Sequence, residues 1–265
     1  MEELRKRIDN VISNSYCNLS ILIKKINVNE DSFIYEYNSK EKLVSASLIK
    51  VPILLAILEK VKENTISLDD KILVKKEEVL DDTKVFELGN ETYTVLELLN
   101  WMIITSDNTA TNVLIDRFGI DNINDYIKNK LNLENTILQR KMLDFNAVEN
   151  GYQNYTSQTD MLKVFTMLFD KKILTDELCD LAIQILSKQR CQDQVMRYIY
   201  DDVFYAHKTG SLDYLNHDVG VMNINNNLFY IGISVYNSKE KAGDKKIVGK
   251  LGKIIFVTLS QMRDL

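Results

Sequence analysis

Apolar residues recur along the chain in two different rhythms. Leu4, Ile8, Val11 and Ile12 follow the 3.6-residue spacing of an amphipathic helix and predict one over residues 2–14. Residues 19–26 and 32–37 alternate instead and are rich in β-branched and aromatic side chains, which predicts two strands. From Ser47 to Val61 nearly every side of a helix would be apolar (Ile49, Val51, Ile53, Leu54, Leu55, Ile57, Leu58), the pattern of a buried central helix. A short strand is expected at Ile72 to Val74, and Thr94-x-x-Glu97 has the form of a capping box ahead of Leu98, Leu99, Met102 and Ile103. Helical spacing returns at residues 108–118, closed by Gly119, and at 123–131, 159–169 and 176–187. The pattern then changes. Residues 203–209, 219–224 and 228–236 predict three successive strands, with Asn225-Asn226-Asn227 as a turn, before a closing helix over 247–262.

This order predicts an α/β (α+β) fold. Strands from both ends of the chain most simply join in one antiparallel sheet flanked by the terminal helices. Residues 1–45 and 203–265 would then form a sheet lobe and residues 46–202 a helical lobe, with a site in the cleft between them.

Composition narrows the class. One Pro and 9 Gly among 265 residues, with 45% hydrophobic content, exclude collagen-like, proline-rich and low-complexity disordered chains. The net charge of -5 gives no global field for nucleic acid or an anionic membrane. Lys239, Lys241, Lys245 and Lys246 alternate with Glu240 and Asp244 and read as a solvated turn. Cys17, Cys179 and Cys191 have no paired spacing, which fits buried or free thiols in a reducing compartment. The start, Met1-Glu2-Glu3-Leu4-Arg5-Lys6-Arg7, has no apolar leader, and no 18-residue apolar run exists. The chain as written is therefore expected in the cytoplasm, or outside the cell if a leader has been removed. A monomer without metal or cofactor is expected.

Ser47-Leu48-Ile49-Lys50 opens the apolar helix. A serine hydroxyl is a poor nucleophile until a base takes its proton. Residues three apart on a helix share a face, so Lys50 can approach the Ser47 hydroxyl, and burial would lower its pKa enough to make it that base. The spacing alone is weak, because Ser-x-x-Lys recurs at Ser39 and Lys42 and at Ser238 and Lys241, in segments that read as turns. Ser106-Asp107-Asn108 by itself is an N-cap, and Lys208-Thr209-Gly210 by itself is a strand leading into a turn.

Together, and in that order, the three segments resemble the motifs of the penicillin-recognising serine enzymes, class A β-lactamases in particular. The resemblance extends over nearly the whole chain. It implies a β-lactamase/transpeptidase-like fold and a small β-lactam, ester or acyl-peptide substrate. By this similarity Ser47 would be the nucleophile, Lys50 would help remove its proton, and Ser106 would relay a proton to the leaving nitrogen. Asn108 would bind the substrate's side-chain amide, and Lys208 and Thr209, followed by Gly210, its carboxylate. The backbone N–H groups of Ser47 and Ser211 would form the oxyanion hole.

One segment departs from the family. Its loop Arg-x-Glu-x-x-Leu-Asn, whose glutamate activates the deacylating water, corresponds to Arg140-Lys141-Met142-Leu143-Asp144-Phe145-Asn146. Met142 cannot accept a proton near neutral pH. Asn154 stands where the family has an aspartate that pairs with the arginine, which would lose a charge-assisted bond and loosen the loop. The expectation is normal acylation and slow deacylation. Asp144 and Glu149 are nearby carboxylates, more simply read as exposed loop charge. Two alternatives stay open: a DD-peptidase-like or esterase-like enzyme, and a penicillin-binding module that is acylated and stays so. His207 and His217, with Asp218, are read as structural rather than metal-binding and lie near predicted strand ends. Trp101 is read as core, and Tyr198, Tyr200 and Tyr205 as lining either the surface or the cleft.

Overall fold

The computed structural model describes residues 1–26, 33–83, 85–86, 91–238 and 243–262. Helix α1 (Glu2–Ser13) buries Leu4, Ile8 and Val11, as its spacing predicts. Strand β1 (Asn18–Lys25) follows, then the short β2 (Tyr35–Tyr37) and β3 (Leu43–Val44). A 3₁₀ turn over Ala46–Ile49 runs into α2 (Lys50–Lys62), whose residues 50–59 are all buried. Pro52 sits in the first turn of this helix, where a missing N–H costs least.

The hairpin of β4 (Lys71–Val74) and β5 (Glu91–Thr94) leads to α3 (Val95–Ile104), which opens on the expected capping box. Helix α4 (Asn108–Phe118) ends at Gly119, whose φ of 82° suits a residue without Cβ. The helix expected over 123–131 is instead α5 (Ile120–Asp125) followed by a π-turn over Tyr126–Lys130, where the Leu131 N–H reaches back to the Tyr126 carbonyl at 3.0 Å. A loop carries the short α6 (Phe145–Glu149) and ends in β6 (Tyr155–Thr156), which pairs with β3. Helices α7 (Gln158–Phe169) and α8 (Asp176–Ser187) complete the helical part.

Strands β7 (Tyr205–Leu212), β8 (Leu215–Ile224) and β9 (Asn227–Tyr236) and helix α9 (Gly243–Ser260) close the chain. The turn between β8 and β9 is Asn225-Asn226 alone, both at positive φ, the type I′ geometry that matches strand twist. The main sheet is antiparallel with order β2-β1-β9-β8-β7, so strands from both ends of the chain do join. One face packs Ile231, Ile233 and Val235 against α1 and α9, and the other packs Ala206, Val219, Val221 and Tyr230 against the helices of the middle segment.

Several expectations are corrected. Strand β7 continues through Gly210 and Ser211, which looked like turn residues; pairing with β8 to Leu212 keeps them extended. Strand β8 begins at Leu215 rather than Val219 because Asn216, His217 and Asp218, though polar, are buried with partners. His207 and His217 consequently lie within strands. The second predicted strand is cut back to Tyr35–Tyr37, Ser32 lying outside the described residues. Lys239 and Lys241 also lie outside them, while Asp244, Lys245 and Lys246 belong to α9. Among the described residues no helix is long and apolar enough to cross a membrane.

Candidate active site

Three segments meet where β7 faces the helices. The first is the turn that carries Ser47. Ala46 takes a φ of 45°, uncommon without glycine and sustained only where neighbours over-determine it. They do: the Ser45 N–H donates to the Asn154 carbonyl at 2.8 Å and the Leu48 N–H to the Ser45 carbonyl at 2.9 Å. Ser47 is half-buried, and Lys50 begins α2. The second segment links α3 to α4, with Ser106 at φ 58° and Asp107 capping α4 by accepting the Ala110 N–H at 2.8 Å.

The third is edge strand β7. Side chains alternate across a strand, so Ala206, Lys208 and Gly210 face the helices while Tyr205 and His207 face α9. A Cβ on Gly210 would meet Ala46 Cβ and Ser47 N at 3.2 Å, so glycine lets the strand lie against the turn that bears Ser47.

Two lysines converge on one hydroxyl. Lys50 Nζ donates to the Ser106 carbonyl at 2.7 Å, to Asn108 Oδ1 at 2.7 Å and to Ser106 Oγ at 3.3 Å. Lys208 Nζ donates to Ser106 Oγ at 2.9 Å and to the Thr209 carbonyl at 2.8 Å. Both lysines are fully buried. Burial, and then the Lys208 charge, hold Lys50 well below the usual lysine range, against the opposing pull of Asp107, Asp82 and Cys191. Burial pushes Lys208 down to about 8. Ser47 is not among the partners of Lys50, because a carbonyl and an amide oxygen take its protons. Thr209 is buried, and Ser211, exposed, donates to Asn216 Oδ1 at 2.8 Å and accepts from Gln194 Nε2 at 3.2 Å.

The loop is fastened differently. Arg140 donates from Nε and Nη2 to Gln153 Oε1 at 2.9 and 2.6 Å, and desolvation lowers its pKa. Asn154 does not reach the guanidinium. It is buried, and its Oδ1 accepts the Gln139 and Arg140 N–H groups at 2.7 and 3.1 Å while its Nδ2 donates to the Arg140 carbonyl at 3.0 Å. The neck expected to be loose is closed through the backbone. Met142 is buried among apolar neighbours, its N–H and carbonyl both held by the Asn112 amide at 2.7 and 3.0 Å. Asp144 caps α6 by accepting the Ala147 N–H at 3.0 Å, and Asn146 and Glu149 are exposed.

The remaining candidates lie outside this cluster. His207 Nδ1 lies 2.8 Å from Asp218 Oδ1, with the ring stacked on Tyr205, on the face away from Lys208. His217 Nε2 lies 2.8 Å from the Val44 carbonyl and Nδ1 2.7 Å from Ser234 Oγ, and burial lowers its pKa to about 4. Tyr200 is exposed, Tyr198 half-buried and Tyr205 buried. Trp101 is half-buried, edge-on to Phe86 and Tyr93. Cys17, Cys179 and Cys191 are free. Sequence reasoning missed Asp82, Asn112 and Gln153, single polar residues with no periodic signal; only the Asn at one α-helical turn beyond Asn108 hinted at a shared face.

A model described as the β-lactamase enzyme family matches residues 3–259. A β-lactamase of Bacteroides uniformis is 24% identical over 97% of this chain and 91% of its own length. Among solved structures, a class A β-lactamase from Bacteroides cellulosilyticus superposes with a TM-score of 0.88 at 23% identity, covering 98% of each chain. A mutant of PBP-A, solved as an acyl-enzyme complex with penicillin G, gives 0.85 at 22%, covering 99% of this chain and 98% of that one. These structural likenesses concern the fold.

Proposed function

The chain belongs to the β-lactamase enzyme family, as a serine hydrolase of that type, and on this premise we propose that β-lactams acylate Ser47 and that the acyl-enzyme is released slowly. The observation that carries the reading is the pair of buried lysines sharing the Ser106 hydroxyl.

Neutral Lys50 takes the Ser47 proton as Oγ attacks the lactam carbonyl carbon. The oxyanion is stabilised by the N–H groups of Ser47 and Ser211, the latter on an edge strand whose outward backbone groups have no sheet partner. The C–N bond then breaks, and the nitrogen takes the Ser106 proton, which Lys50 replaces with the one it received. Lys208, protonated, holds the substrate carboxylate with Thr209, and Asn108 faces the acyl side chain.

Release needs a base to activate water. At position 142 there is a thioether, Asp144 is engaged as a cap and Glu149 points to solvent. This favours slow hydrolysis over rapid turnover, and its limit is a penicillin-binding module whose adduct persists. The test is labelling with a fluorescent penicillin, followed through decay. The expected result is one adduct per chain, lost in Ser47→Ala, decaying over minutes or longer. Steady turnover with no adduct by intact mass would overturn it.

A further inference from the structure

Asn108 is held from both sides. Its Oδ1 accepts from Lys50 Nζ at 2.7 Å, and its Nδ2 donates to Asp82 Oδ2 at 2.6 Å. The second bond orients the amide, because a carboxylate can only accept; the amide's N–H₂ must therefore face Asp82, which leaves its Oδ1 to the Lys50 amine. Asp82 is exposed, on a segment strapped to the start of α4 at each side of Asn108. The Leu80 N–H donates to Thr109 Oγ1 at 2.9 Å and Thr83 Oγ1 donates to Asp107 Oδ2 at 2.5 Å. These bonds keep the carboxylate beside the amide rather than free to swing into solvent.

An acyl side chain approaching Asn108 therefore meets a carboxylate at the donor it would use. A neutral carbonyl oxygen must displace that carboxylate and then sit beside its charge. A side chain bearing an ammonium group is attracted by the same charge. We propose that Asp82 is a specificity-determining residue, and that the site selects acyl substrates carrying an ammonium group on the side chain next to the scissile carbonyl over neutral or anionic ones. The proposal rests on the acylation of Ser47 argued above.

Benzylpenicillin and ampicillin differ by one α-amino group on that side chain and are the probes. The second-order rate of adduct formation is measured for each by intact mass, on the full chain and on Asp82→Asn, at a pH where the amine is protonated. Asparagine keeps an acceptor for Asn108 and removes the charge. The ampicillin-to-benzylpenicillin rate ratio is expected to fall about fivefold in Asp82→Asn, the worth of one unit-charge pair near 4 Å in water, and to fall with added salt in the unaltered protein. A ratio unchanged by the substitution and by salt, with both compounds still forming adducts, overturns the specificity role and leaves the acylation reading standing. No adduct with either compound overturns both.

Discussion

The cluster around Ser106 and the loop from Gln139 to Asn154 are both pinned by hydrogen bonds, but by bonds of opposite kind. In the cluster, two buried lysine amines supply the donors, and desolvation lowers the pKa of each. In the loop, the acceptors are neutral amides, and Met142, held by Asn112 through its backbone, has no titratable group. The first arrangement can move a proton at neutral pH; the second can only hold a shape. On the proposed reading, the two half-reactions of a hydrolase are housed in two regions, and this chain has the chemistry for one.

The largest expected effect comes from removing the proposed base. Lys50→Met is expected to slow adduct formation by about 10³-fold, within the range of general-base catalysis, and to lower Tm modestly, since the Ser106 carbonyl and Asn108 Oδ1 lose their donor. An unchanged rate measured by stopped flow would place the base elsewhere.

Met142→Glu attacks the comparison from the other side. Adduct decay is expected to accelerate by about 10²-fold, at a cost of roughly 1–3 kcal/mol from placing a polar group among apolar neighbours, read by urea unfolding. Decay that stays slow while the adduct forms normally would mean that water is activated outside the loop.

The pH profile sharpens the division of labour within the cluster. Adduct formation is expected to rise with pH as Lys50 loses its proton, then to fall above about pH 8 as Lys208 loses its own. Lys208→Arg, which stays charged, should shift the falling limb upward. The linkage has a matching sign. A lysine with a lowered folded pKa binds fewer protons than in the unfolded chain, so stability should gain as pH rises from about 8 toward the ordinary lysine range. A Tm flat across that window would contradict the burial of a charged Lys208.

The smallest effect belongs to the loop's neck. Gln153→Glu turns the Arg140 contact into an ion pair, expected to add up to about 1 kcal/mol in thermal unfolding and to leave adduct formation unchanged. Slower formation would show that the neck also sets the geometry of Ser47.

Legibility followed periodicity. Helices α4 and α8 match the apolar spacing to the residue, because their ends carry a cap and a glycine or a Thr N-cap. Strand β5, Glu91-Thr92-Tyr93-Thr94, carries no apolar alternation because its residues are polar or half-exposed, and the first half of β8 reads as a loop because its buried residues are polar. At the site, Ser47, Lys50, Ser106, Asn108 and Lys208 announce themselves as ordered motifs. Asp82, Asn112 and Gln153 do not, since each acts through a contact made by chain segments remote in sequence.

Strands β3 and β6 are only two residues long each, yet they join the end of the loop to the turn before Ser47, and the Ser45–Asn154 bond extends the join by one rung. The loop and the turn that carries Ser47 thus share a common hinge pin. On the proposed reading, any breathing of the loop that admits water to the ester would tug on the turn that carries Ser47, so the lifetime of the adduct would depend on mechanical leverage as well as on the residue at position 142.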